Sequence, residues 1–256
     1  MTEKLGITAS IVLFNEDLIE LTKTVDCFLK ISISKKLFLI DNTPTKRFKG
    51  VFNHTEIEYI ASGKNIGFGA GHNTIINKIK ELSDYHLILN PDVFFKTTVI
   101  STLIAELEKD STIAMISPKV LFPDGSFQHS CRRYPTISEL IARRFNLINP
   151  IFKTLIFKGV YGDMDLGKPF FAEYITGCFH LYNTRDFIKL KGFDRRYFLY
   201  MEDVDICKKI DDLGKKKLYY PNVAITHVLK QGSSKKFNLF LRHAYSAIKY
   251  FLKWGI

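Results

Sequence analysis

The feature that most constrains the fold is a regular alternation of strand-like and helix-like segments through about the first 115 residues. Residues 7–14 form an almost continuous β-rich run, typical of a strand that is buried on both faces. Residues 18–31 follow, and their apolar side chains recur at helical spacing. This alternation predicts an α/β protein with a Rossmann-like, mostly parallel central sheet that is flanked by helices.

Polar residues stand where three of the predicted strands end. Asn15 follows the first strand, Asp41 and Asn42 come at the end of the second, and Asn90 and Asp92 follow the fourth. Ligands of open α/β sheets bind beyond the carboxyl ends of the strands. We therefore expect the binding site at this rim. The predicted strands are 7–14, 37–40, 57–60 and 86–89, and the predicted helices are 18–31, 74–82 and 98–109.

The second part of the chain is less regular at first. Five prolines interrupt residues 116–175, which include a basic and partly apolar piece at 141–158. The pattern then predicts a strand at 178–182, a helix to about residue 213, a strand at 218–220, and a final amphipathic helix at 235–254. We predict one domain over 1–234, with halves at 1–115 and 116–234, followed by the basic helix of 235–256.

Charge and composition limit the classes of partner. Lys and Arg number 37 against 26 Asp and Glu, a formal net charge of +11. Such an excess favours nucleotide phosphates, an acidic membrane surface or nucleic acid. The four widely spaced cysteines disfavour a zinc site or a disulfide framework. Because no signal peptide or membrane-spanning run is evident, we expect a cytoplasmic protein that at most lies on a membrane surface.

An acidic segment is the strongest candidate for chemistry. Glu202, Asp203 and Asp205 open a predicted helix, and Asp194 precedes them in the same aromatic-rich stretch. A fixed carboxylate beside aromatic walls can remove a proton from an attacking hydroxyl. Acidic residues are also favoured in the first turn of any helix by its dipole, so a purely structural role stays open.

Four further features are weaker signals. The glycine-rich run of residues 67–73 could bring backbone N–H groups to a phosphate, or could form a turn that binds nothing. Asp92 could hold a divalent cation, or could serve as an ordinary turn residue. A single histidine such as His227 is more often structural than a ligand. The final helix could pack on the core or lie on a membrane.

Taken in order, these motifs resemble the inverting glycosyltransferases of family 2, which have the GT-A fold, and in particular bacterial rhamnosyltransferases of O-antigen and cell-wall assembly. The resemblance covers residues 7–234. The stretches that carry it are 10–15, 39–42, 65–73, 89–92, 117–119, 124–126, 132–136, 176–178, 192–194 and 200–205, followed by His227.

The resemblance implies a role for each matched position. Asp203 would be the general base, with Glu202 beside it, and Asp92 and His227 would hold Mg²⁺ or Mn²⁺. Asn90 stands where the family's metal motif often has its first Asp, so this site carries one charge fewer. Asp41 would contact the nucleotide base. The expected substrate-binding residues are Asn15, Asp41, Asn42, Asn65, Gly67, Phe68, Asn73, Asn90 and Gly177.

The resulting hypothesis is inverting transfer of a deoxyhexose, rhamnose from dTDP-rhamnose, to a polyprenyl-diphosphate-linked saccharide at the inner membrane surface. Nucleic acid is not an expected partner. UDP-, GDP- or CDP-sugars are alternative donors. A nucleotidyltransferase is a rival, but it would need a basic glycine-rich loop after the first strand, where Asn15, Glu16 and Asp17 stand instead. A non-enzymatic basic binding module would leave Glu202 and Asp203 unexplained.

Overall fold

A computed structural model describes residues 4–144, 149–229 and 237–255, and its centre is a mixed sheet of nine strands in the described residues. The hydrogen-bonded order is β3-β2-β1-β4-β10-β6-β11-β5, with β8 also paired to β11. A two-stranded sheet joins β7 and β9. The strands are β1 Ile7–Leu13, β2 Lys35–Asp41, β3 Ile57–Ala61, β4 Tyr85–Leu89, β5 Val93–Phe95, β6 Ile113–Leu121, β7 Cys131–Arg132, β8 Phe170–Phe171, β9 Tyr174–Ile175, β10 Phe179–Asn183 and β11 Lys216–His227.

Helices cover both faces of the sheet. One buried cluster packs around α1 and α4, and a second packs around α3, α7 and α8 on the other side. The helices are α1 Leu18–Leu29, α2 Phe68–His72, α3 Ile76–Leu82, α4 Thr98–Leu107, α5 Ile137–Arg144, α6 Pro150–Gly159, α7 Thr184–Lys189, α8 Glu202–Asp212 and α9 Phe237–Trp254.

The parallel half of the sheet is confirmed. Strands β1, β2 and β3 pair in parallel, and β4 pairs in parallel with β1 on its other side. All residues of β1 except Val12 are buried, as a strand covered on both faces requires. The carboxyl ends of these strands therefore meet at one edge of the sheet, as the alternation predicts.

Strand β10 brings a later part of the chain to that edge. It lies antiparallel between β4 and β6, and Phe179 at its start is the register partner of Leu89 at the end of β4. The Asn90 N–H consequently donates to the Cys178 carbonyl at 2.9 Å. Residues that precede β10 are thus placed beside the polar residues that follow β4.

The glycine-rich segment is helical rather than a turn that precedes a helix. Helix α2 and a 3-10 turn over Asn73–Ile75 lead directly into α3, where the sequence pattern predicts one helix over 74–82. Close packing explains the glycines: a Cβ on Gly71 would lie 2.7 Å from the Val12 side chain. A Cβ on Gly69 would lie 2.6 Å from the Cβ of Phe193.

The stretch predicted to be irregular contains strand β6. Pro118 lies within it and lacks the N–H that a strand normally donates. The partner strand β11 shifts its register between Tyr220 and Ala224, directly opposite this position, so the ladder continues past the proline. The same irregularity carries β11 well beyond the predicted 218–220.

The C-terminal helix α9 packs on the domain through one of its faces. Ala247 and Tyr250 join a buried cluster with Tyr197, Met201 and Val204. The predicted boundary at 234/235 lies outside the described residues, as do Lys235, Lys236, Phe145 and Leu147. None of the helices in the described ranges is long and apolar enough to cross a bilayer.

Candidate active site

A cavity of about 470 Å³ opens where β4, β10 and β11 meet the first turn of α8. Six of the residues singled out from the sequence line it. Its wall also includes residues of the irregular stretch, among them Gln128 and Arg132. The six predicted residues are Phe68, Asn90, Gly177, Glu202, Asp203 and His227.

Backbone donors hold the Asp203 carboxylate at this cavity. Its Oδ2 accepts the Gly177 N–H at 3.3 Å, and its Oδ1 accepts the Val204 N–H at 2.9 Å. The side chain stays partly exposed. It lies in the first turn of α8, where the helix dipole favours negative charge.

A strained turn sets the direction in which α8 begins. Tyr200 and Met201 both have left-handed backbone conformations, with φ of 70° and 68°. Such angles are unfavourable for side-chain-bearing residues and persist where the surroundings enforce them. The Phe198 carbonyl just before the turn accepts the Phe68 N–H at 3.1 Å. Helix α2 and the turn are therefore fixed to each other.

Glu202 and Asp203 have different proton affinities. Burial, and then the charge of Asp203, raises the pKa of Glu202 to about 8. Burial also raises the pKa of Asp203, but the Val204 and Gly177 N–H groups oppose that shift. With a pKa of about 8 the Glu202 carboxyl is neutral near pH 7, whereas the two backbone N–H donors on Asp203 stabilise its carboxylate form. This arrangement suits a general base at Asp203.

Asp92 and His227 lie together, and His227 also lines the cavity. The His227 Nε2 is 3.4 Å from Asp92 Oδ1 and 3.4 Å from Asn90 Nδ2. The other ring nitrogen, Nδ1, lies 2.7 Å from Gln128 Oε1. Because an amide oxygen only accepts, the proton of a neutral ring stands on Nδ1 and the Nε2 lone pair faces Asp92. No motif in the sequence pointed to Gln128.

The Asp92 and His227 pair fits a cation. Asp92 Oδ1 is buried and has no hydrogen-bond partner. Burial alone would lower the pKa of His227, but interactions with Cys178 and Asp92 outweigh it and raise the pKa to about 10. Positive charge is thus favourable between the two side chains. Among the residues that the structure describes, no cluster of three His, Cys, Asp or Glu could hold a metal, so further ligands would come from elsewhere.

The residues predicted to bind the nucleotide-sugar donor mostly stabilise loops through hydrogen bonds within the protein. The Asp41 carboxylate accepts the Tyr59 hydroxyl at 2.7 Å and the Thr43 N–H at 2.8 Å, and it is fully buried. Asn42 donates to the Gly67 carbonyl at 3.0 Å. None of Asn15, Asp41, Asn42, Asn65, Gly67 and Asn73 lines the cavity, nor does Asp92.

Contacts of Asn65, Gly67 and Asn73 connect the predicted nucleotide-sugar pocket to the segment before α8. The Asn65 side chain accepts the Gly67 N–H at 3.0 Å. Gly67 has φ of 89°, and a Cβ there would lie 2.3 Å from the Phe198 carbonyl oxygen. Asn73 accepts the Phe193 N–H at 2.9 Å and donates to the Phe193 carbonyl at 2.7 Å. Its amide is therefore occupied, and direct contact with a substrate stays a prediction.

The two remaining acids of the segment bind helix α9. Asp205 Oδ1 accepts the Lys253 ammonium at 2.7 Å and the Trp254 indole N–H at 2.8 Å. Asp194 contacts the same ammonium at 2.8 Å. The Ser246 hydroxyl donates to the Leu199 carbonyl at 2.9 Å, so α9 also supports the cavity wall. The sequence pattern did not pair these residues, because they lie about fifty positions apart.

Comparison with known proteins identifies relatives over most of the chain. It is 30% identical over 226 residues to rhamnosyltransferase WbbL of Escherichia coli K12, covering 84% of this chain and 81% of that protein. It is 25% identical over 199 residues to N-acetylglucosaminyl-diphospho-decaprenol L-rhamnosyltransferase of Mycobacterium tuberculosis, covering 73% of this chain and 62% of that protein. No protein-family model matches the sequence.

Solved structures share the fold. GalNAc-T7, crystallised with UDP, GalNAc and Mn²⁺, superposes with a TM-score of 0.67 at 18% identity, over 90% of this chain and 45% of that one. Mannosyltransferase PcManGT of Pyrobaculum calidifontis, in complex with GDP-Man and Mn²⁺, superposes with a TM-score of 0.62 at 15% identity, over 98% of this chain and 64% of that one. With the relationship to WbbL, the fold places the chain among the GT-A glycosyltransferases of family 2, in the rhamnosyltransferase family.

Proposed function

We propose that this enzyme transfers rhamnose from dTDP-rhamnose, with inversion at the anomeric carbon, to a saccharide carried on a polyprenyl diphosphate. The observation that carries the proposal is the Asp203 carboxylate, held by the Gly177 N–H at a cavity that also contains His227. The names of the two sequence relatives supply the sugar, and the mycobacterial one supplies the class of acceptor.

The transfer is a single displacement. Asp203 accepts the proton of an acceptor hydroxyl as the hydroxyl oxygen forms a bond to the anomeric carbon of the donor. The bond from that carbon to the donor diphosphate breaks on the opposite face, and the nucleoside diphosphate leaves with the electron pair. Asp203 then carries the proton, which passes to solvent before the next turnover.

Asp92 and His227 would hold a divalent cation, with Asn90 beside them. When bound, that ion neutralises negative charge on the leaving diphosphate. Support comes from the unpartnered Oδ1 of Asp92 and from the Nε2 that faces it. Both solved structural neighbours contain Mn²⁺. With Asn90 in place of a second acid, the remaining ligands would be diphosphate oxygens and water.

Glu202 keeps its proton and limits the charge around the base. Two adjacent ionised carboxylates in a buried site would repel each other. A protonated Glu202 leaves Asp203 as the single negative charge of the pair. Its Oε2 is buried and has no hydrogen-bond partner, so the neutral form is also the less costly one to bury.

Helix α9 would place the enzyme on the cytoplasmic face of the inner membrane. Its outer face carries five exposed apolar side chains at spacings of four, four, three and four residues, which form one stripe. Lys249 and Arg242 flank the stripe, and such a helix suits the surface of an anionic bilayer. The five are Phe237, Leu241, Tyr245, Ile248 and Leu252.

The direct test of the function is a transfer assay. We expect product from dTDP-rhamnose and a synthetic saccharide diphosphate lipid, with the anomeric configuration opposite to that of the donor by NMR. Chelation should abolish turnover and Mn²⁺ or Mg²⁺ should restore it. Matched reactions with UDP-, GDP- and CDP-sugars test the choice of donor. Absence of transfer from every nucleotide sugar, or a product of retained configuration, would contradict the proposal.

The proton on Glu202 should appear in the pH dependence of stability. Because the pKa is about 8 in the folded state and 4.5 is its ordinary value, the neutral carboxyl stabilises the protein fully below pH 4.5. That contribution is lost as pH rises through about 8. Urea unfolding of the wild type and of Glu202→Gln should therefore diverge over this range, with the wild type losing more stability.

The matched control for that experiment is Glu81→Gln, at a carboxylate whose side chain is 80% exposed. Its pH profile should follow that of the wild type. Parallel profiles for the wild type and Glu202→Gln would show that Glu202 is ionised throughout and would overturn its assigned role.

The stripe on α9 makes a prediction about vesicles. Replacing Ile248 and Leu252 with Ser should weaken binding to phosphatidylglycerol-containing vesicles by at least about tenfold, because each apolar side chain buried contributes about 1.5–3 kcal/mol. Co-sedimentation measures this. The control replaces Leu18 and Ile19, also exposed, on α1. Equal binding by wild type and the α9 variant would exclude the stripe as the membrane contact.

A further inference from the structure

Arg132 stands on the cavity wall next to the backbone that holds Asp203. Strand β7 pairs antiparallel with β9, with Arg132 opposite Tyr174. The Thr176 N–H then donates to the Ser130 carbonyl at 2.8 Å, and Gly177 follows with its N–H on Asp203. This small sheet therefore fixes Arg132 relative to the catalytic carboxylate, and Arg132, Thr176 and Gly177 line the same cavity.

The guanidinium of Arg132 has one unsatisfied donor. Its Nη1 is buried without a hydrogen bond, and no ion pair forms from it within residues 4–144, 149–229 and 237–255. Its charge acts at a distance, since it opposes the rise in pKa that burial causes at Asp203 and at Glu139. A buried donor without a partner is costly to the free protein. An anionic ligand that enters the cavity would remove this cost.

The neighbouring arginine shows the contrast. Arg133 donates to both carboxylate oxygens of Asp163, at 2.8 and 3.0 Å, and its guanidinium lies 4.6 Å from the Tyr161 ring centroid. It does not line the cavity. The unpaired state is thus a property of the arginine that faces the site, not of this basic stretch in general.

We propose that Arg132 binds the diphosphate of the acceptor lipid, so that the cavity recognises the acceptor by its charge as well as by its sugar. A guanidinium matches diphosphate oxygens through two parallel N–H donors. This inference rests on the proposed function, because it concerns the acceptor of the same transfer.

Two observations favour the acceptor over the donor diphosphate. His227 lines the same cavity as Arg132, but Arg132 is joined through Gly177 to the base that meets the acceptor hydroxyl. Apolar side chains also line the Arg132 cavity and suit the first isoprene unit of a lipid: Phe122, Phe127, Leu199 and Leu229.

The size of the cavity adds a consequence for acceptor length. About 470 Å³ must contain both the group bound to Arg132 and the hydroxyl that faces Asp203. An acceptor whose reactive sugar lies close to its diphosphate can therefore meet both residues at once.

Steady-state kinetics with two acceptors test the proposal. One acceptor is a sugar on a short prenyl diphosphate, and the other is the same sugar as a neutral prenyl glycoside. Arg132→Met should raise KM for the diphosphate acceptor by about 10- to 100-fold, the effect of losing charge-assisted hydrogen bonds. KM for dTDP-rhamnose should stay within about twofold of the wild type, and kcat/KM should fall much less for the neutral glycoside than for the diphosphate acceptor. Arg132→Lys should restore part of the loss.

Arg133→Met is the matched control and should keep the wild-type preference for the diphosphate acceptor. A rise in the donor KM of Arg132→Met, or an equal loss with both acceptors, would overturn the proposal. Should Arg132→Met unfold, Arg132→Gln supplies the same comparison. A wild-type enzyme that is inactive with both acceptors would contradict the proposed function itself. Normal transfer with unchanged acceptor selectivity in the Arg132 variants would contradict this inference alone.

Discussion

The hydrogen bond from the Gly177 N–H to the Asp203 carboxylate joins the segment before β10 to the first turn of α8, and the surrounding structure maintains it. Gly177 is placed by the antiparallel entry of β10 beside β4, and Asp203 is placed by the left-handed turn at Tyr200 and Met201. At 3.3 Å the bond is long, so its position depends on the elements at both ends. Neither the segment before β10 nor the first turn of α8 would hold a base at the cavity by itself.

The acidic residues of this segment have two functions, one at the cavity and one at helix α9. Glu202 and Asp203 face the cavity, whereas Asp205, with Asp194, binds the end of α9 through Lys253. Asp203 and Asp205 are two positions apart on the helix and therefore point in different directions. The helix proposed to lie on the membrane is therefore attached directly to the segment that carries the proposed base. An acceptor that approaches from the bilayer would reach the cavity beside that attachment.

The sequence predicted the parallel half of the fold well, because buried strands such as residues 7–14 and polar strand ends such as Asn90 are local signals. The glycine-rich segment was assigned as a turn because local propensity disfavours glycine in helices, whereas Gly69 and Gly71 serve packing contacts with distant residues. Strand β6 was missed because its proline is accommodated by an irregularity in another strand. The motif at 132–136 includes Arg132 without a role, and no motif includes Gln128, since tertiary pairing brings both residues to the cavity.

The measurement that tests the role of Asp203 most directly compares transfer and donor binding in Asp203→Asn and Glu202→Gln. The carboxamide cannot accept the proton, so kcat of Asp203→Asn should fall by about 10²- to 10⁴-fold, while Kd for the nucleotide sugar stays at the wild-type value. Glu202→Gln, which resembles the protonated side chain, should lose much less activity. Normal turnover by Asp203→Asn, or a larger loss in Glu202→Gln, would contradict the assignment of Asp203 as the base.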